Sequence, residues 1–169
     1  ATDSHDIIDI KNNRLDELMQ ILGENSGKVI IWANYIYDIN QIKKAVEKEF
    51  GEDSYCTYYG ATLAKDRQKC INDFQDPNSP VRFFIGNTQT GGYGITLTAA
   101  STVIYYSNNY DLEKRIQSED RAHRIGQMNK VLYIDLVAKG TVDVKIIRSL
   151  RNKVNIAKEI SGEELITWI

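Results

Sequence analysis

Residues 28–50 read KVIIWANYIYDINQIKKAVEKEF and combine two patterns of different period. The stretch begins with KVIIWA, a short apolar run rich in β-branched side chains, which predicts a buried strand. From Ile36 to Phe50 the apolar residues recur at helical spacing and Gly51 follows as a terminator, which predicts a helix. A buried strand followed by an amphipathic helix is the repeating unit of α/β proteins.

The same unit recurs on both sides of this stretch. Further strands are predicted for the runs SYCTYY, VRFFIG, TVIYYS and KVLYIDLVA. Helical spacing predicts helices before residue 28, from Leu63 to Phe74 and from Asp111 to His123, and Thr141 is placed to cap a long final helix. This alternation predicts an α/β fold with a mostly parallel central sheet covered on both faces. Functional groups are then expected in the loops after the strands, at the carboxyl edge of the sheet.

The composition is that of a folded domain. The chain has 169 residues, of which 42% are hydrophobic and 26% charged, and only two prolines, which excludes disordered and fibrous classes. It contains no apolar run near the roughly 20 residues of a membrane span and no signal-peptide pattern at residues 1–9, so we expect an intracellular protein without a membrane partner. Cys56 and Cys70 lack metal-ligand spacing, which predicts reduced, structural thiols and no metal site.

Charge is distributed unevenly along the chain, although the formal net charge is only -2. Residues 1–60 carry six Lys or Arg against eleven Asp or Glu, whereas residues 139–158 carry six Lys or Arg against one carboxylate, that of Asp143. A polyanion contact is therefore expected late in the chain. The same cations also suit the solvated face of an amphipathic helix, and the sequence leaves both interpretations open.

The segment QSEDRAHRIGQ, residues 117–127, is the strongest candidate for chemistry. On a helix, Gln117, Arg121 and Arg124 fall at i, i+4 and i+7 and share one face. Two guanidinium groups on one face favour an anion, and an arginine aimed at a transferring phosphoryl group neutralises charge that develops in the transition state. The alternative is a solvated helix whose arginines pair with neighbouring carboxylates.

A glycine-rich loop, TGGYG at residues 90–94, is a second candidate. Gly91, Gly92 and Gly94 allow the backbone to approach a phosphate closely, although a tight strand-to-helix turn would use the same glycines. In contrast, GENSGKV at residues 23–29 is not a P-loop, because it has three residues between its glycines and leads from a helix into a strand. The sequence therefore shows no motif that holds a triphosphate with its metal ion.

Taken together, these motifs resemble those of the Swi/Snf-like ATPases of helicase superfamily 2. QSEDRAHRIGQ is similar to the sixth motif of that family, KVIIWANY to the fourth, YYGATLAKDRQKCINDF to the segment after the fourth, NTQTGGYGITLTAA to the fifth, and DLVAKGTVDVKI to the segment after the sixth. The resemblance extends from about Leu15 to Leu150. It implies a RecA-like, three-layer C-terminal helicase lobe over residues 1–140 and a C-terminal helical extension over residues 141–169 that packs on the lobe.

The resemblance also implies a function and roles for individual residues. The parent protein would be a DNA-stimulated ATPase that translocates on duplex DNA, with ATP and Mg²⁺ held mainly by an N-terminal RecA-like lobe of the same chain. Arg121 and Arg124 would act as catalytic arginine fingers, and Gln117, Gly92 and Gly94 would lie beside the nucleotide. Sequence-independent contacts to the backbone of double-stranded DNA would come from Asn34, Gly60, Thr62, Arg67, Thr88 and Gly91.

Departures from the family pattern affect the expected source and location. Where the family usually has an Asp and then a Trp-Asn-Pro turn, this chain reads SNNYDL at residues 107–112, and Thr90 and Thr96 replace an Ala and an Asn of the fifth motif. Such changes are closer to compact viral or bacterial members than to large eukaryotic remodellers, so nucleosomes are not the expected substrate. The expected location is the cytoplasm, or the host cytoplasm for a viral protein, with the nucleus as the alternative.

Two other functions compete with the motor hypothesis. A catalytically inactive helicase-like module would only bind DNA or protein, and the presence of both Arg121 and Arg124 argues against it. A flavodoxin-like domain that binds a small phosphorylated ligand would leave the arginine segment without a role. On the motor hypothesis, the isolated chain is expected to hydrolyse no ATP.

Overall fold

The computed structural model describes residues 13–90, 94–123, 129–138 and 140–161, with side chains up to residue 156 in the last helix. The predicted alternation of helices and strands is found, with small shifts at the element ends. The helices are α1 (Asn13–Glu24), α2 (Ile36–Phe50), α3 (Ala64–Gln75), α4 (Leu112–Ala122) and α5 (Val142–Ser161). The strands are β1 (Lys28–Trp32), β2 (Tyr55–Tyr58), β3 (Phe83–Gly86), β4 (Ala100–Tyr105) and β5 (Leu132–Asp135).

All five strands form one parallel sheet in the order β2-β3-β1-β4-β5. The central strand is β1, where Ile30 lies opposite Phe84 of β3 on one side and Val103 of β4 on the other. Residues Val29 to Trp32 are fully buried, which explains why the strand is apolar at each of these four positions instead of alternating. Because the strands are parallel, all of them end at the same edge of the sheet.

The two faces of the sheet carry separate apolar cores, since successive side chains of a strand point to opposite faces. On one face Val29 and Ile31 pack with Leu18 and Leu22 of α1 and with the apolar side of α2. On the other face Ile30 packs with residues of α3 and α4. The predicted three-layer α/β architecture is thus confirmed.

The long final helix packs against the start of α4. Ile146, Ile147 and Leu150 form a third apolar cluster with Leu112. The predicted cap is also confirmed, because Thr141 Oγ1 accepts a hydrogen bond from the backbone N–H of Asp143 at 3.3 Å. None of the described helices is long and apolar enough to cross a membrane.

The two cysteines differ from expectation. The prediction of reduced thiols is wrong for this structure, because Cys56 of β2 and Cys70 of α3 form a disulfide with their Cα atoms 5.4 Å apart. Packing of α3 against the edge strand brings the two side chains together, and their separation of 14 residues does not reveal this contact. Within the described ranges, no group of three His, Cys, Asp or Glu side chains is arranged to hold a metal ion.

Candidate functional site at the carboxyl edge of the sheet

Polar residues that follow three neighbouring strands meet at the carboxyl edge. The backbone N–H of Asn34, after β1, donates to Ser107 Oγ, after β4, at 2.7 Å. The side chain of Asn109 donates to Asn34 Oδ1 at 3.4 Å, and Asn87 Nδ2, after β3, donates to Asn34 O at 3.0 Å. Two predicted DNA contacts, Asn34 and Thr88, are thereby brought to one narrow cleft. Its lining comprises Asn34, Thr88, Tyr105, Ser107, Asn108, Asn109 and Arg115.

Arg115 of α4 is the ionic centre of this cleft, and the sequence analysis missed it. Only 3% of the residue is exposed. Its Nε donates to Glu119 Oε1 at 2.7 Å, and its two Nη atoms donate to the carboxylate of Asp135 at 2.6 and 3.0 Å. Nη1 also donates to Asn108 Oδ1 at 2.9 Å. The planar fork of the guanidinium therefore fixes the loop after β4 to the end of β5.

The electrostatics of this cluster keep Arg115 charged. Burial acts to lower the pKa of Arg115, but Tyr105 and the carboxylates of Asp135 and Glu119 outweigh it and hold the pKa above its usual value. Burial raises the pKa of Glu119, although the adjacent Arg115 guanidinium opposes this shift. The i, i+4 spacing of Arg115 and Glu119 was the available sequence signal for their ion pair.

Arg121, a predicted arginine finger, lies near the end of α4 and packs against the side chain that ends β1. The residue is only 7% exposed, and its guanidinium carbon lies 5.3 Å from the centre of the Trp32 ring at the end of β1. Burial lowers the pKa of Arg121, whereas Tyr58 and Tyr105, the last residues of β2 and β4, act to raise it. The alternative interpretation, a solvated helical face, is therefore wrong for this residue, whose cation lies among aromatic side chains.

The packing of Trp32 depends on a glycine in the neighbouring strand. A Cβ atom added at Gly86 of β3 would lie 2.8 Å from Cζ3 of the Trp32 ring and 2.9 Å from the carbonyl oxygen of Tyr58. Any side chain at this position would displace either the indole ring or the backbone of β2. The aromatic surroundings of Arg121 thus depend on the absence of a side chain at residue 86.

Helix α4, which carries the predicted arginine face, ends one residue before the predicted His123. Helix α4 stops at Ala122, and His123 adopts an extended backbone with φ -125° and ψ 119°. Arg124, Gly91 and Gly92 lie outside the described residues. Gln117 is half-buried and donates to Glu113 Oε1 at 2.9 Å. Gly94 is exposed and has φ +102°, a left-handed conformation that favours glycine.

The other predicted DNA contacts form a separate group after β2. Arg67 Nη2 donates to the carbonyl of Gly60 at 2.9 Å, and Thr62 Oγ1 accepts from the backbone N–H of Tyr59 at 3.3 Å. The Arg67 guanidinium carbon also lies 5.9 Å from the centre of the Tyr58 ring. Gly60, Thr62 and Arg67 therefore build one turn at the carboxyl edge, within the loop that the Cys56–Cys70 disulfide closes.

The sequence of this chain is similar to one protein family and to several curated proteins. Residues 10–126 match the family described as helicase conserved C-terminal domain. The chain is 34% identical over 150 residues to the chromatin-remodeling ATPase INO80 of Mycosarcoma maydis and 32% identical over 159 residues to the ISWI chromatin-remodeling complex ATPase ISW1 of Saccharomyces cerevisiae. These matches cover 88% and 92% of this chain but only 8% and 14% of the two relatives. The chain thus spans a small part of the curated relatives it matches.

Two solved structures have the same fold. The C-terminal part of the Fun30 ATPase domain matches with a TM-score of 0.73 and 26% identity, over 83% of this chain and 46% of that one. The Sulfolobus solfataricus SWI2/SNF2 ATPase core in complex with dsDNA matches with a TM-score of 0.68 and 28% identity, over 90% of this chain and 32% of that one. These matches confirm the RecA-like fold. The named relatives lend no support to a viral or bacterial source.

Proposed function

Because this chain belongs to the helicase conserved C-terminal domain family, we propose that it acts as the second motor lobe of a Swi/Snf-like ATPase that translocates on duplex DNA. The observation that carries the proposal is the position of Arg121. Its guanidinium is buried beside the aromatic residues that end β1, β2 and β4, and the residue stands three positions before the RIGQ part of the arginine segment. A cation fixed beside these residues is suited to act on a phosphoryl group presented by a second lobe.

The nucleotide would be shared between two lobes. ATP is the substrate, and Mg²⁺ would be held with it mainly by an N-terminal RecA-like lobe of the same parent chain. Arg121 and Arg124 would reach the transferring phosphoryl group and neutralise its developing charge, with Gln117, Gly92 and Gly94 beside the nucleotide. The proposal is supported by the relatives, which are named as ATPases and are many times longer than the segment they share with this chain.

Duplex DNA would run along the carboxyl edge. The two groups of polar residues found there, Asn34 with Thr88 and Gly60 with Thr62 and Arg67, would contact phosphates together with Gly91, which gives affinity without sequence specificity. ATP binding would close the lobes on each other, and product release would open them and advance the duplex. The Sulfolobus solfataricus neighbour, which was solved in complex with dsDNA, supports the choice of duplex DNA.

The contacts of α5 and the named relatives also support a domain organisation and a cellular location for this chain. Residues 1–140 would form the lobe and residues 141–169 a helical extension, which is supported by the packing of α5 on Leu112 and by the ion pair between Asp143 and Arg14 of α1. The relatives named as chromatin-remodeling ATPases favour the nucleus over the cytoplasm expected from sequence.

Steady-state ATP turnover of the parent protein tests this function. We expect duplex DNA to stimulate turnover and Arg124→Ala to abolish it while nucleotide binding survives. Lys130→Ala is the matched control, because it removes an exposed cation close in sequence and should leave turnover unchanged. Turnover that is absent, or indifferent to both DNA and Arg124, would instead favour the inactive module that only binds DNA or protein.

A further inference from the structure

The exposed side of α5 carries a stripe of cations. Lys145, Arg148 and Arg151 are all exposed and follow each other at intervals of three residues, which places them on adjoining parts of the helix surface. The opposite side of α5 is buried through Ile146, Ile147, Leu150 and Val154. We call Lys145, Arg148 and Arg151 the basic stripe. It contains three of the six cations in residues 139–158.

Carboxylates do not neutralise this stripe within the described part of the chain. From Lys145 to Ile156 the sequence contains no Asp or Glu. The acidic residue of the first turn, Asp143, pairs with Arg14 and accepts a hydrogen bond from the backbone N–H of Ala138 at 3.2 Å. None of the ion pairs among the described residues includes a member of the basic stripe. If this surface is only a solvated helix face, its charge stays unpaired in water. If it binds a polyanion, the anionic groups of that ligand neutralise the charge.

The helix lies at the carboxyl edge along much of its length. Near its start, Asp143 pairs with Arg14, whose guanidinium carbon lies 5.4 Å from the centre of the Tyr106 ring, just after β4. Further along, α5 packs on Leu112, and Lys153 Nζ donates to the carbonyl of Tyr110 at 2.6 Å. These contacts connect α5 to residues 106–112. The same segment lines the cleft together with Asn34 and Thr88.

We propose that the basic stripe of α5 binds the phosphate backbone of duplex DNA as a second contact, beside the cleft and the turn after β2. This inference rests on the proposed function, which brings DNA to the same edge. The dimensions agree, because six residues of helix rise about 9 Å and phosphates of one strand follow each other about every 3.4 Å along the duplex axis. The stripe can therefore cover two or three phosphates.

The test is salt-dependent binding of a fluorescent 30-base-pair duplex to this 169-residue chain, measured by anisotropy between 50 and 300 mM NaCl. The variant Lys145→Gln/Arg148→Gln/Arg151→Gln should lower the slope of log K against log salt by about 2 to 3 and weaken binding in 0.1 M salt at least tenfold. The matched control, Lys43→Gln/Lys44→Gln/Lys48→Gln on α2, removes the same charge and should leave the slope unchanged. Thermal unfolding of both variants verifies that they fold.

Each other outcome overturns the inference in a distinguishable way. Equal slopes for the wild-type chain and the α5 variant would exclude the basic stripe while leaving DNA binding by the cleft intact. Equal losses in the α5 and α2 variants would indicate a general charge effect. Loss of binding to phosphatidylserine vesicles with duplex binding unchanged would assign the stripe to a lipid surface. A wild-type chain that binds no duplex at 50 mM salt would contradict both this inference and the DNA contacts of the proposed function.

Discussion

The position of the Trp32 ring depends on Gly86, a residue without a side chain. The indole ring lies next to the Arg121 guanidinium, and it can do so because residue 86 leaves room for it. We expect Gly86→Ala to destabilise the chain by about 1–3 kcal/mol, the usual cost of overpacking a core, because the methyl group meets both a ring and a backbone carbonyl. Urea unfolding measures this difference.

The control for this prediction is Gly23→Ala in α1. A Cβ atom at Gly23 has no neighbour within 4 Å, and the residue lies in a helix. Alanine is favoured over glycine in a helix by up to about 1 kcal/mol, so this variant should be at least as stable as the wild type. Equal stabilities for Gly86→Ala and the wild type would show that the Trp32 packing relaxes freely.

A second prediction concerns the contribution of Arg115 to the stability of the chain. Its removal would leave Glu119, which is 3% exposed, without its cation, and Asp135 without its bidentate partner. Breaking a buried ion pair on one side costs about 3–5 kcal/mol, and we expect Arg115→Ala to lie near the lower limit because 17% of the Asp135 side chain is exposed. Arg115→Lys should recover part of the loss, since it restores the charge but not the planar fork.

Chemical denaturation of these variants provides the measurement for Arg115. Lys114→Ala, which removes the neighbouring cation on the same helix, should change the free energy of unfolding by less than about 0.5 kcal/mol. A loss below 1 kcal/mol for Arg115→Ala would mean that water or a rearranged loop satisfies the two carboxylates.

At the scale of secondary structure, the sequence was sufficient where periodicity is strong and insufficient where contacts are non-local. Apolar runs such as residues 29–32 and the helical spacing from Ile36 to Phe50 predicted their elements because burial sets both patterns. The end of α4 was predicted at His123, one residue beyond its position at Ala122. The Cys56–Cys70 contact and the Arg115 network were missed because they depend on how separate elements pack.

The docking of α5 gives a prediction at this scale. Leu150 is fully buried in the small cluster that joins α5 to Leu112, so its truncation removes much of the apolar contact there. A buried Leu→Ala change costs about 2–5 kcal/mol in general. Because Leu150 lies in the cluster that joins α5 to α4 and not in the core around β1, we expect Leu150→Ala to increase amide hydrogen exchange in α5 far more than in β1.

Hydrogen exchange followed by mass spectrometry resolves the two regions. Ile156→Ala is the control, since this side chain on the same helix is 55% exposed and its loss should leave exchange in α5 nearly unchanged. Equal increases in α5 and β1 after Leu150→Ala would instead show that the helix and the sheet unfold as one unit.

At the scale of the whole molecule, the described residues provide cations and polar loops at one edge of a sheet, but no cluster of acidic residues arranged for a metal ion. On the proposed function, Arg121 and Arg124 would stabilise a transition state only when another lobe presents the nucleotide. We therefore expect the isolated 169-residue chain to release no phosphate from ATP, with or without duplex DNA.

A phosphate-release assay on the isolated chain, the N-terminal lobe and their mixture tests whether the catalytic site is divided between the two lobes. Only the mixture, or the intact parent, should hydrolyse ATP. Arg124→Ala in this chain should abolish ATP hydrolysis by the mixture. Turnover by the isolated chain would contradict the divided site directly. An N-terminal lobe that is fully active alone would make the arginines dispensable, because charge developing on the phosphoryl group would then be neutralised without them.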